Sequence, residues 1–206
     1  MLERLIALVE EHSMAVALER LLPRVLRGAE FEVRPFQCKD DLLKRLPERL
    51  RGYAHWLPKE YAILVLVDRD DDDCLLIKQR LENIAAEAGL LSKTTAGPER
   101  RFQVVNRIVV EELESWFFGD WPAVRAAYPR VPETVPQKAA YRDPDAIRGG
   151  TWEQLERILQ RAGYFKSGLR KNELARAVSA HMQPERNTSQ SFQVFRSALQ
   201  LTEDWQ

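Results

Sequence analysis

Cysteine, histidine and glycine are scarce in this chain, and each shortage removes a class of chemistry. Cys38 and Cys74 are the two cysteines and form no CxxC pattern. That argues against a structural zinc site and a disulfide scaffold, and a reducing, cytoplasmic setting is expected. His12, His55 and His181 are isolated in sequence, so no Ser–His or Cys–His arrangement stands out for nucleophilic catalysis. No cluster of glycines forms a phosphate-cradling loop. Long apolar runs are missing too. The opening MLERLIALVEEHS has an apolar core of five residues before acids appear; it is no signal peptide, and no run elsewhere approaches a membrane span. Excess charge of one sign is also absent, with 31 basic and 31 acidic residues. Nothing global therefore draws the chain to nucleic acid or to a membrane. Internal repeats and low-complexity tracts are not found.

What is present describes an ordinary globular protein, with 45% apolar and 30% charged residues in 206, enough for one well-packed domain with an appendage. The charges are unevenly spread. Residues 61–120 carry 7 Lys/Arg against 12 Asp/Glu, and residues 121–206 carry 13 against 9. An acidic middle followed by a mildly basic tail suits a cation site beside an anionic substrate.

The rest of the chain is arranged around Tyr61 to Cys74, YAILVLVDRDDDDC. Six apolar residues, Ala62 to Val67, read as a strand buried on both faces, as in a parallel sheet. Ligands of open parallel sheets sit at the carboxyl ends of the strands, where Asp68 and Asp70 fall. Two residues apart in extended backbone, they leave on one side. Carboxylates held so close repel each other unless a cation intervenes. The plainer reading is a solvated turn with one of Asp71, Asp72 or Asp73 capping the helix from Cys74 to Leu90. That cap leaves Asp68 and Asp70 without a purpose.

In chain order, Leu5–Val9 is a strand ending in Glu10 and Glu11, and Ser13 is expected to cap a helix over Met14–Leu26, which Gly28 ends. Phe31–Phe36 alternates like a half-exposed strand, with Pro35 placing it near an edge. A helix from Asp40 to Trp56 is expected to break near Pro47. A strand at Gln103–Val110 then runs into a helix bearing Glu111, Glu112, Glu114 and Asp120. Five prolines between Pro122 and Pro144 mark 120–150 as a linker or wrapped loop. Helical patterns return at TWEQLERILQRAGYF, opened by a Thr cap, then at KNELARAVSAHM and SFQVFRSALQLTEDW. The alternation predicts an α/β fold with a mostly parallel sheet flanked by helices, divided into an α/β part (1–120) and a Pro-rich connection with a small helical extension packed on it (121–206).

The chemistry-bearing constellation is therefore Glu10, Asp68, Asp70 and a glutamate near Trp116, all at or just past the carboxyl ends of strands. Magnesium takes a few carboxylate oxygens while keeping several waters, and a carboxylate left free can move a proton. An EF-hand loop starting at Asp68 would need Gly and Glu where Asp73 and Gln79 stand. The haloacid dehalogenase pattern, which also sets two aspartates around one residue, fits less well because Asp72 and Asp73 follow. Lys166 and Arg170, with Lys171 and Arg176 nearby, are the nearest thing to a phosphate clamp. A solvated helix face explains them equally.

LVEE at 8–11 and VDRDDD at 67–72 resemble the Glu and DxD motifs of TOPRIM domains. VVEELESWFFGD at 109–120, DP at 143–144, YFK at 164–166 and SF at 191–192 resemble, more specifically, the bacterial family catalogued as domain of unknown function 4276, which is related to the nuclease halves of OLD-type phage-defence proteins. The resemblance covers nearly the whole chain. It implies a TOPRIM/Rossmann-like fold and a Mg2+- or Mn2+-dependent nuclease acting on DNA or RNA. Glu10 would be the acid/base or metal-ligating glutamate, Asp68 and Asp70, with Asp72, the metal ligands, and Glu114 the acid of a Glu–x–Trp motif. An ABC- or SMC-type ATPase partner and a role in phage defence are implied on the same ground. Glu11 stands where relatives have Gly, and Met14 where they have an acid. The alternative is therefore a non-catalytic partner or sensor subunit of an ATPase complex.

Overall fold

The computed structural model describes residues 2–26, 28–97 and 101–203. Four strands make one all-parallel sheet: β1 (Arg4–Val9), β2 (Glu30–Pro35), β3 (Tyr61–Asp68) and β4 (Val104–Val109), in the order β2-β1-β3-β4. The expected strands all form, and β2 sits at an edge, where Pro35 can do without an inner ladder bond. β3 lies inside, between β1 and β4, with Ala62 to Asp68 buried. Strand alternation splits its side chains between two cores. Ala62, Leu64 and Leu66 join one, and Ile63, Val65 and Val67 join the other.

The smaller core lies under α2 (Lys39–Ala54) and α3 (Cys74–Glu87). Pro47 was expected to interrupt α2, yet the helix runs through it. Leu42, Leu43, Leu46 and Leu50 are buried on both sides of the proline, and that packing outweighs the one lost backbone bond. Asp73 is the N-cap of α3, its carboxylate accepting from the amides of Leu75 and Leu76 at 2.8 and 3.1 Å.

The larger core lies under α1 (His12–Val25) and runs on into everything after β4. There the chain forms α4 (Lys93–Ala96) before β4, then α5 (Glu114–Gly119), α6 (Trp121–Ala127), α7 (Thr151–Arg161), α8 (Lys171–Ser179) and α9 (Gln190–Glu203). The expected end of the last helix at Trp205 lies outside the described residues. Part of the stretch read as linker is helix α6, with Pro122 in its first turn, where a missing N–H costs nothing. Three short 3-10 turns follow it. Trp116 is wholly buried against Phe192 and Phe195, ring centroids 4.9 Å away in each case, and its indole N–H donates to the Ser191 hydroxyl at 3.0 Å. Arg24 on α1 donates to the carbonyls of Ser179, Ala180 and Met182 at the end of α8, the carbonyls a helix leaves unpaired.

Two capping expectations are corrected. The N-cap of α1 is Glu11, not Ser13, whose hydroxyl instead donates to the Glu11 carboxylate. Gly150 occupies the cap position of α7, and Thr151 is its first helical residue. The carboxylate of Glu112 does the capping, accepting from the Thr151 amide and hydroxyl and the Trp152 amide at 3.0, 2.8 and 3.1 Å. A negative charge at a helix N-terminus is favourable, and this one pins α7 to the end of β4. No described helix is long and apolar enough to cross a membrane.

Candidate functional site

Parallel strands deliver every β-to-α turn to one edge of the sheet. There Glu10 follows β1, Cys38 and Lys39 follow β2, Asp68 ends β3, and Glu112 follows β4. These residues line an open cleft of about 310 Å3 together with Asp70 and Lys171. Asp68 is buried, and strand alternation aims it to the side of Leu64 and Leu66, towards α1 and α5. Its Oδ1 has no hydrogen-bond partner. Glu10 is also buried, one oxygen accepting from the Asp68 amide at 3.1 Å. Glu114, at the start of α5, is buried as well and acts on Asp68 electrostatically.

Three buried carboxyls in one place cannot all stay ionised at ordinary pH. Burial, opposed by the Asp68 amide and reinforced by Asp70, pushes Glu10 up to about 7. Burial also pushes Glu114 up to about 7, against the pull of Lys171 and with the push of Glu112. Burial first, then Glu10 and Glu114, drive Asp68 well above the carboxylate range.

Two lysines that the sequence reading did not select answer this charge. Lys39 Nζ donates to Asp70 Oδ2 at 2.6 Å and to the carbonyls of Asp68 and Arg69 at 3.2 and 3.1 Å, and pairs with Asp72 Oδ2 at 2.7 Å. Burial alone would lower it, but the bonds to Asp70 and Asp72 leave it raised. Lys171, the first residue of α8, is likewise raised despite burial, by Glu114, Glu11, Glu112 and Asp68. Lys171 had a sequence signal, its place in the basic cluster; Lys39 had one in its position just after a strand end.

The structure brings Glu10, Asp68 and Asp70 into one cleft and sets Glu114 behind it rather than in its lining. Asp72 does not line the cleft; it is half-exposed and held by Lys39. Asp70 is not extended: its φ is +50°, so the two-residue alternation from Asp68 does not carry to it. Its amide donates to the Glu111 carbonyl at 3.0 Å, and Glu111 is itself left-handed at φ +65° and paired with Arg69. Left-handed non-glycine residues persist only where their surroundings hold them, and here two lie on facing turns at the same sheet edge. Lys166 and Arg170 do not share a helical stripe. α8 begins at Lys171, Lys166 lies in the preceding turn, and Arg170 pairs with Glu173 at 2.8 Å.

Among the described residues no group of three His, Cys, Asp or Glu side chains is preformed around a metal position. Magnesium does not require one: it commonly takes one or two carboxylates and keeps its waters. Asp68, with a buried oxygen unpartnered, and its neighbours Glu10 and Asp70 form an all-oxygen donor set that fits such an ion.

The sequence model of the family described as Domain of unknown function (DUF4276) matches residues 9–200. No curated protein gives a significant match. Among solved structures, the C-terminal region of the OLD protein of Xanthomonas campestris pv. campestris aligns over 98% of this chain and 96% of that one, at 16% identity and a TM-score of 0.43.

Proposed function

We propose that this chain, which belongs to the DUF4276 family, is a magnesium-dependent nuclease of the TOPRIM type that hydrolyses phosphodiester bonds in DNA or RNA. The observation that carries this reading is the unpartnered, buried Asp68 oxygen beside Glu10 at the carboxyl edge of a parallel sheet. Asp68 and Asp70, with Glu10, would hold the metal, which when bound supplies positive charge for the phosphate and acidifies a water. Glu10 lines the cleft, and in the metal-free protein burial pushes it up to about 7. A raised carboxylate of this kind is suited to take the proton of the attacking water as the water oxygen bonds to phosphorus and the scissile P–O bond breaks, the departing alkoxide oxygen taking a proton from solvent. Lys171 lines the cleft and supplies a cation for the charge that builds on the phosphate. Glu114, behind Asp68, acts on Lys171 and Asp68 and so holds charge in place instead of touching substrate.

The second reading, a non-catalytic partner or sensor subunit of an ABC- or SMC-type ATPase, is favoured by one contact: Lys39 lies on Asp70 and Asp72, as a resident counter-ion would. Purified protein mixed with plasmid and with RNA, with and without Mg2+ or Mn2+, separates the two. Metal-dependent cleavage by the protein alone supports the nuclease. Cleavage that needs an added ATPase makes it a gated nuclease, for which phage defence is a fitting role. No cleavage under any condition supports the sensor.

A further inference from the structure

The cleft assigned to the chemistry is a poor seat for a polyanion. Acids outnumber its two lysines, Lys39 and Lys171. A larger cleft of about 660 Å3, between the β3 and β4 turns and the start of α7, is no better, with six acids against Arg69 and Arg148. A third, of about 250 Å3, has the opposite character. Arg34 from β2 and Arg45 and Arg49 from α2 line it with His12, and Asp41 is the one acid among its described lining residues. Gln37 lines both this cleft and the Glu10–Asp68 cleft, so the two are neighbours that share a wall. The Phe36 amide donates to the Val9 carbonyl at 2.8 Å, which fixes the basic cleft's wall one residue from Glu10.

The arginines have capacity to spare. A guanidinium carries five N–H donors. Arg34 uses two on Glu32, at 2.7 and 3.1 Å, and Arg45 uses one on Asp41 at 2.7 Å. Both arginines are substantially exposed, so these pairs are weak and readily exchanged for a phosphate.

We infer that the Arg34–Arg45–Arg49 cleft binds the phosphodiester backbone of the nucleic-acid strand whose scissile bond lies over Glu10 and Asp68. The strand runs from the metal cleft across Gln37 towards the β2 edge, away from the acid-lined side. Contacts of this type hold phosphates, not base edges, so they position the strand without reading its sequence. The inference rests on the nuclease reading above.

The test is equilibrium binding of fluorescein-labelled single-stranded and duplex DNA in EDTA, which prevents cleavage, followed from about 50 to about 200 mM salt. The Arg45→Gln/Arg49→Gln variant is compared with wild type and with Arg20→Gln/Arg161→Gln, which loses the same charge elsewhere. Loss of two phosphate contacts lowers the log–log salt slope by about 1.4 on single strands and about 1.8 on duplex, and weakens binding equally for unrelated sequences. The control pair leaves the slope unchanged. Should Arg45→Gln/Arg49→Gln fail to fold by circular dichroism, Arg49→Gln alone carries the same comparison with a drop of about 0.7 to 0.9. An unchanged slope, or an equal drop in the control, overturns the track and leaves the nuclease reading to its cleavage assay. Wild-type protein that binds no DNA at any salt also overturns the track, while the nuclease reading, whose site would hold phosphate through the metal, is decided by the cleavage assay.

Discussion

Asp68 holds a buried carboxyl oxygen with no partner, an arrangement that costs roughly 1–3 kcal/mol. Glu10 and Glu114, both at about 7, share the cost. A group raised in the folded state contributes its full stability below its unfolded value, near 4.5 here, and loses it as pH rises through 7. For Glu114 the shift from 4.5 to about 7 corresponds to about 3 kcal/mol. In EDTA, the melting temperature of the wild type is therefore expected to fall between pH 5 and 8 more steeply than that of Glu114→Gln. Parallel pH profiles would remove Glu114 from the cluster. Lys39 supplies a second residue-scale prediction. Replacing it with Met removes a cation from beside Asp70, and Mn2+ titrated calorimetrically should bind more tightly, about fivefold for a pair energy of about 1 kcal/mol. Weaker Mn2+ binding would show that Lys39 organises the ligands instead of competing for them. Glu10 and Asp68 were legible in the sequence because an acid directly after a buried apolar run falls at a sheet's carboxyl edge. Lys39 and Lys171 were not selected, because neither a place just after a strand end nor a place in a basic cluster tells whether a lysine faces solvent or a carboxylate.

The elements were legible to the degree that their periodicity was undisturbed. β3 announces itself in six consecutive apolar residues, and the strand–helix alternation gave the parallel sheet. α6 was missed because Pro122 reads as a breaker, although at a helix start it is tolerated. Pro47 misled in the opposite direction, since only the buried leucines around it decide that α2 continues. The aspartate run after β3 divides by element: Asp68 ends the strand, Asp70 occupies a left-handed turn, and Asp73 caps α3. Asp73→Ala should cost about 1 kcal/mol in urea denaturation and leave metal-dependent cleavage intact. If instead it abolishes cleavage at unchanged stability, the division of the run between site and cap is wrong.

At the scale of the molecule, the segment after residue 120 completes both the core and the site. Phe192 and Phe195 pack on Trp116, α8 packs in the same core as α1, and Lys171 reaches the cleft from the far part of the chain. Phe192→Ala should cost about 3–5 kcal/mol, and a fragment ending at residue 120 should show no cooperative thermal transition by circular dichroism. A fragment that folds on its own would contradict this dependence. The function proposed for the whole chain depends on Asp68, and the most direct measurement is a time course of plasmid and RNA cleavage by wild type and Asp68→Asn at equal concentration, in Mg2+, Mn2+ and EDTA. The account predicts cleavage by wild type only with metal, and none by Asp68→Asn, which remains folded and melts no lower in EDTA. Equal cleavage by both proteins, or cleavage undiminished by EDTA, would contradict it.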